Sequence, residues 1–218
     1  NNTLIIAPNL GFQKNQFINS LIGVNKTGEG AFISSTINDR DTKSSGYNFR
    51  NELTYRHGFP KKGRSISVNI NNSINDRNSD TYLDAISAFF KTGALAADTL
   101  RQLTANATTS NSFSTNLAYT EPIGKKGQVQ LNYNPQWTRN NADQKNLLYN
   151  KTDQEYNVLD TAQTNIFDNR VKAQNAGVTY RIGDRQNQFS VGLNYQTTQL
   201  LSDQSFPIVA SVNKTFHD

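Results

Sequence analysis

The chain has 218 residues, 35% hydrophobic and 18% charged, with a formal net charge of +5 and a mean hydropathy of −0.67. The absence of cysteine excludes a disulfide framework, a zinc ribbon and a thiol nucleophile. No run of about 20 apolar residues is present, which excludes a transmembrane helix.

The basic excess and the aromatic content both bear on the class of protein. Much of the basic excess lies in short clusters, typical of a solvated surface, so we expect no nucleic-acid partner. The 9 Tyr and 12 Phe residues are more than a disordered chain usually contains. Together with Thr, Val, Asn and Gly, they favour strands joined by turns.

In chain order, the first predicted strand covers residues 4–12 and is the weakest, because Pro8 interrupts it. A strand–turn–strand unit then recurs three times, with turns that begin near positions 60, 123 and 183. Each turn combines Gly or Pro with charged residues, as a hairpin requires. These elements predict about seven long strands.

The strands of the three hairpins alternate between apolar and polar residues, the pattern of a strand with two different faces. Around the first turn, Arg50, Glu52, Thr54 and Arg56 occupy the polar positions. The residues predicted on the apolar, membrane-facing side are Tyr47, Phe49, Leu53, Tyr55, Phe59, Ile66, Val68, Ile70, Leu117, Tyr119, Val129, Leu131, Tyr133, Val178, Tyr180, Phe189, Val191, Leu193 and Tyr195. Trp137 and His57 are also expected on this side.

Strand length and loop asymmetry distinguish a membrane barrel from a soluble sheet. The segment 47–59 would span roughly 40 Å at about 3.3 Å per residue, whereas soluble strands usually have about 5–6 residues. Tight turns lie on one side, and the long excursions 75–110 and 140–170 lie on the other. Short periplasmic turns with long extracellular loops are the outer-membrane pattern. The sequence therefore predicts an all-β antiparallel meander that forms part of a large transmembrane β-barrel.

The turn segments also carry a family resemblance. YRHGFPKKGRSISVNIN, AYTEPIGKKGQVQLNYNP and YRIGDRQNQFSVGLNYQ resemble the barrel portion of TonB-dependent receptor-like outer-membrane proteins of the Bacteroidetes type. The resemblance implies a 22-stranded barrel that imports large solutes. It implies outer-membrane lipid, the TonB complex acting through a plug, and a surface lipoprotein lid as partners. We interpret residues 1–218 as one partial barrel segment without the plug and the remaining strands.

Two other interpretations remain open from the residues alone. A soluble or surface-attached β-sandwich that binds glycans or acts as an adhesin would show the same alternation, with exposed Tyr and Trp available to sugars. An assembly or scaffold barrel without solute transport would share the barrel fold.

Other motifs give weaker signals. Asp76, Asn78 and Asp80 alternate like the start of a calcium loop, but Thr81 and Ser87 stand where an EF-hand needs Gly and Glu. The Ala-rich stretch 82–103 has partly helical apolar spacing, which predicts a loop helix. No catalytic arrangement is recognisable, so we expect neither enzymatic activity nor a cofactor.

Overall fold

The computed structural model describes residues 1–91, 94–183 and 186–218. Over these residues the chain forms one antiparallel sheet of nine strands. The strands are β1 (Asn2–Lys26), β2 (Phe32–Gly58), β3 (Ser65–Lys91), β4 (Ala94–Ile123), β5 (Gly127–Asn150), β6 (Glu155–Leu159), β7 (Asn165–Gly183), β8 (Gln188–Phe206) and β9 (Ala210–His217). Their order in the sheet follows the chain, except that the short β6 pairs only with β5. The sheet is open, with β1 and β9 at its edges.

The long strands and the tight turns on one side are confirmed. β4 has 30 residues, several times the usual length of a soluble strand. The β2–β3 turn is closed by a hydrogen bond from the Phe59 amide to the Arg64 carbonyl, 3.1 Å, and includes Gly63 at a φ of 88°. A positive φ is accessible to glycine at little cost, which explains the glycine at this turn. Part of the third turn, residues 184–185, lies outside the described residues.

The predicted loop helix near 82–103 is wrong. Residues 82–91 belong to β3 and residues 94–103 to β4, in register pairs such as Tyr82 with Leu103 and Ile86 with Thr99. In the extended hairpin the backbone N–H and C=O groups of both segments pair with each other in one ladder. This pairing between strands outweighs the modest helix propensity of the two segments. The long extracellular loops were likewise predicted wrongly, because most of residues 75–110 and 140–170 continue the strands.

The first strand is also longer than predicted. β1 runs from Asn2 to Lys26 and continues through Pro8, which is opposite Asn51 of β2. Proline is compatible with a strand at a position that needs no ladder hydrogen bond from its nitrogen, and in the described sheet β1 is paired on one side only. The sequence prediction also missed β6 and β9, which are short and weakly patterned.

The described residues form a single layer of structure. None of their hydrophobic side chains is buried, and Phe12 and Leu193 are 79% and 73% exposed. A β-sandwich buries the inner faces of two packed sheets, and no second layer is present in the described part of the chain. The same residues contain no helix that is long and apolar enough to cross a membrane.

The most buried side chains are polar and surround a short loop in the wall. β6 and β7 both pair with β5, and residues 160–164 connect them as a bulge. Asn146 and Thr164 are each only 2% exposed. The Asn146 Oδ1 accepts hydrogen bonds from Gln102 Nε2 (2.8 Å) and Thr104 Oγ1 (2.6 Å), while its Nδ2 donates to the Gln163 carbonyl. Thr164 Oγ1 accepts from the Asn146 amide, 3.1 Å. These bonds hold the bulge against the sheet.

We expect Asn146→Ala to destabilise the protein by about 1–3 kcal/mol, because the buried Gln102 amide would lose its 2.8 Å hydrogen bond and keep only a 3.5 Å one to Gln163 Oε1. Urea unfolding of the folded protein in detergent measures the change. Asn157→Ala is the matched control, since Asn157 is exposed and bonds only to Asp153. Equal unfolding midpoints for Asn146→Ala and the wild type would show that the cluster contributes nothing to stability.

Candidate functional site on the two faces of the sheet

The register assigns almost every predicted apolar position to one side of the sheet. Directly opposed residues of an antiparallel pair share a face. Tyr55 is opposite Val68, Val68 is opposite Leu117, and Leu117 is opposite Tyr133. Continued across all strands, this rule places on one face every predicted residue that belongs to a strand, together with His57 and Trp137. We call this side the apolar face and the opposite side, which includes Arg50 and Thr54, the polar face.

Phe59 is the one predicted residue outside a strand, because β2 ends at Gly58. Its ring makes an edge contact with the His57 ring at a centroid distance of 4.4 Å. The Arg64 guanidinium lies 5.9 Å from the Phe59 centroid. Phe59 therefore packs against the end of the apolar face instead of extending its alternation.

The upper boundary of the apolar residues, on the side away from the tight turns, runs obliquely across the strands. On each strand the apolar run that starts near the tight turns is followed by at least two polar positions of the same face. The runs end, in successive strands, at Phe12, Tyr47, Ile74, Phe113, Trp137, Ala176 and Tyr195. We call the region between the tight turns and these residues the apolar band. The register row that contains Tyr47 reaches β8 at Asp203, eight residues beyond Tyr195. That offset is about 26 Å along the strand, over five strand spacings of about 24 Å in total. The apolar band thus crosses the strands at roughly 45°, near the tilt of about 35–45° that strands have in outer-membrane barrels.

The polar face contains a hydrogen-bond network of mostly uncharged side chains. Asn69 Nδ2 donates to Thr54 Oγ1 (2.7 Å) and to Glu52 Oε1 (2.9 Å), and Asn71 Nδ2 donates to Asn69 Oδ1 (2.6 Å). The hydroxyls of Ser73 and Ser112 are 2.8 Å apart. A hollow of about 540 Å³ opens on this face beside the network. The surface is suited to contact with water or a polar solute.

Charge is also divided between the faces. Among the described strand side chains of β1–β5 and β7–β9, the register places six basic residues on the polar face: Arg40, Arg50, Arg56, Arg77, Arg181 and Lys214. Only Glu52 and Asp98 oppose them there. Nine carboxylates lie on the apolar side, most of them beyond the apolar band: Asp39, Asp41, Asp76, Asp80, Asp84, Glu121, Asp143, Asp168 and Asp203. The polar face is therefore the electropositive one.

The calcium hypothesis is not supported by the geometry of its three residues. Asp76, Asn78 and Asp80 occupy alternate positions of the extended strand β3. Asn78 Nδ2 donates to Asp76 Oδ1 at 3.3 Å, and Thr109 Oγ1 donates to Asp76 Oδ2 at 3.0 Å. Calcium needs six to eight converging oxygen atoms, which a straight row of side chains does not supply. No group of three or more acidic, His or Cys residues in the described chain could hold a metal ion.

Ion pairs join neighbouring strands beyond the apolar band. Asp168 Oδ2 is 2.8 Å from Arg139 Nη2 and 2.6 Å from Arg170 Nη2. Hydrogen bonds from Arg139 and Arg170 hold the pKa of the Asp168 carboxyl below its usual value. Arg139 belongs to β5 and Asp168 to β7, so the cluster connects the two strands next to the bulge.

An aromatic cluster on the same side was missed by the sequence interpretation. The Tyr156 ring lies 5.6 Å from Tyr82 and 5.2 Å from Tyr149, and the Arg101 guanidinium lies 4.0 Å from the Tyr149 centroid. These residues fall in segments that were interpreted as a loop and a helix. Testing those segments for alternation would have placed Tyr82, Arg101 and Tyr149 on one face.

The model of one protein family, described as an outer membrane protein beta-barrel family, matches residues 57–216. The chain belongs to this family. The match begins at the end of β2 and includes β3 to β8, the bulge and most of β9, and it agrees with the tilt of the apolar band. The protein is therefore a β-barrel protein of the outer membrane. No curated protein is significantly similar to the chain.

We expect Asp168→Asn to reduce stability at pH 7 by up to about 1 kcal/mol, the range of exposed ion pairs. Because the folded pKa is lowered, this contribution is complete above the unfolded value of about 3.9 and is lost as the pH falls through the folded value. Urea midpoints of the variant and the wild type should thus differ at pH 7 and converge on acidification below pH 4.

Asp80→Asn is the control for this experiment, since the Asp80 side chain is exposed and has no hydrogen bond or ion pair to another described residue. A difference between Asp168→Asn and the wild type that stays constant from neutral to acidic pH would contradict the ion-pair explanation.

Proposed function

We propose that this chain forms part of the wall of a TonB-dependent, receptor-like barrel that imports a large solute across the outer membrane. In this proposal the apolar face contacts lipid, the polar face lines the lumen, and the chain has no enzymatic activity. The observation that carries the proposal is the oblique apolar band, because it follows the boundary that a flat bilayer draws across tilted strands. The resemblance of the three turn segments supports the TonB-dependent class.

Exposure supports the assignment of the apolar face to lipid. Leu193, Val191 and Phe189 are 73%, 53% and 63% exposed, and no other part of the described chain covers them. Removing apolar side chains from water contributes a stabilising free energy of about 25 cal/mol per Å² of surface. The hydrocarbon core of the membrane would remove these side chains from water. Tyr180 and Tyr119, near the tight turns, are suited to the interface between lipid and water.

The lumen assignment rests on the polar face and on the shape of the hairpins. Asn, Gln, Ser and Thr side chains cover the polar face of β3 to β5, where a solute could exchange hydrogen bonds with them. The tight turns would face the periplasm, and the long β3–β4 and β5–β7 hairpins would extend from the cell. A surface lipoprotein could close over those hairpins, and a plug inside the barrel could transmit energy from TonB.

Two neighbouring cysteine variants test the orientation of the faces. We expect Asn194→Cys in intact outer membranes to react with a water-soluble maleimide and Leu193→Cys to be protected by lipid. The described chain contains no native cysteine, and both positions lie in β8. Denatured samples, in which both thiols must react, provide the control. Equal or reversed protection in folded membranes would refute the assignment.

Uptake experiments test the transport proposal. We expect cells that lack this protein and cells that lack TonB to fail to remove the same solute from the growth medium, as compared by mass spectrometry. Restoring the gene should restore uptake only when TonB is present. Uptake that persists without TonB would indicate a passive pore, and unchanged media in both deletions would indicate a scaffold barrel.

A further inference from the structure

Arginine side chains form a track along the polar face of β2 and β3. Arg40, Arg50 and Arg56 lie on β2, and Arg77 lies on β3 opposite Gly46. The track therefore extends over 16 residue steps of β2, from Arg40 to Arg56, about 53 Å at about 3.3 Å per step. All four side chains are exposed, and none has an ion pair or a side-chain hydrogen bond within the described chain.

A hollow of about 270 Å³ lies beside Arg77, in the middle of this track. Gly46 and Gly11, which contribute no side chain, are among the residues that line it. A Cβ atom at Gly46 would overlap the Asp76 carbonyl oxygen and lie 3.2 Å from the Arg77 Cα, and one at Gly11 would overlap the Asn48 Oδ1. Both positions therefore require glycine, because backbone at Gly46 and the Asn48 side chain at Gly11 pack too closely for a larger residue.

The chemistry around the hollow is that of a donor site. Arg77, Asn48, Asn75 and Gln13 line it, and none of these side chains has a hydrogen-bond partner in the described structure. Asp76 also lines the hollow, but its carboxylate accepts a hydrogen bond from Thr109 on the apolar side.

The nearest acidic residue of β2 on the polar face is Glu52, six residues from Gly46 and about 20 Å along the strand. Its Oε1 accepts a hydrogen bond from Asn69. The hollow therefore combines one guanidinium and three amide groups without an opposing carboxylate.

We propose that this hollow binds an anionic group, phosphate or carboxylate, of the solute that passes along the polar face. Guanidinium binds such groups with paired, charge-assisted hydrogen bonds, and pores selective for anions and phosphate are lined with Arg and Lys. The arginines on either side of Arg77 extend the positive potential along the wall and would draw an anion toward it. The inference rests on the proposed orientation of the polar face toward the lumen. It adds that the solute carries a negatively charged group.

Calorimetric titration of the intact barrel protein in detergent tests this site, with tripolyphosphate as the anionic probe and maltotriose as the neutral one. We expect wild type to bind tripolyphosphate and Arg77→Gln to bind it about tenfold more weakly, the effect of losing one charge-assisted interaction of about 1.4 kcal/mol. Arg77→Lys keeps the charge and should lose only about threefold.

Lys172→Gln is the matched control, because it removes one exposed positive charge from the apolar side of β7. It should bind tripolyphosphate as wild type does, and thermal unfolding should show that all variants are folded. The proposal is overturned if wild type does not bind the probe, if Arg77→Gln binds as tightly as wild type, or if Lys172→Gln weakens binding equally. If the titration fails while uptake remains TonB-dependent, only this inference falls. If anion binding holds without TonB dependence, the importer proposal falls instead.

Discussion

The register of the antiparallel ladder is the constraint on which the whole structure depends. Side chains alternate with a period of two, so a slip of one residue would move an entire strand's apolar set to the other face. From Leu4 in β1 to Tyr195 in β8, the ladder keeps apolar residues opposite apolar residues near the tight turns. No second layer packs on the described sheet, so the described residues form no hydrophobic core. The pairing of apolar side chains on neighbouring strands, together with the medium around the sheet, takes the place of that core.

The same constraint separates the electrostatics of the two faces. Arg50 and Arg77 lie on the polar face, whereas Asp168 and Asp203 lie on the opposite side beyond the apolar band. On that side arginines bind some of the carboxylates: Asp168 pairs with Arg139 of β5 and with Arg170 of its own strand, and Asp84 pairs with Arg101 of β4. On the polar face the arginines of β2 and β3 have no such partners among the described residues. The charges that form these ion pairs and the arginines that are available to a ligand thus lie on opposite faces of the sheet.

The sequence was sufficient to predict the architecture where alternation is strong. The tight turns, the long strands and the apolar face from Tyr47 to Tyr195 followed from spacing alone. Residues 82–103 were misread because Ala, Leu and Phe residues satisfy a helical spacing nearly as well as a paired one, and only the partner strand decides between them. The hollow beside Arg77 could not be predicted, since it depends on Gly46 being opposite Arg77 and Gly11 lying beside Asn48.

The β3–β4 hairpin has a consequence for what the cell presents to its surroundings. Beyond Ile74, the last residue of the apolar band, β3 continues for 17 residues to Lys91. That is about 56 Å of strand, which at a tilt near 45° gives a height of about 40 Å. In the proposed orientation, with the tight turns in the periplasm, the hairpin would extend by this height above the apolar band on the outside of the cell. A bacteriophage or an antibody approaching the cell would then meet the described residues near the end of the hairpin, such as Phe90 and Leu95, before it reached the lipid. These residues would be exposed to selection for sequence change that the membrane-embedded wall escapes.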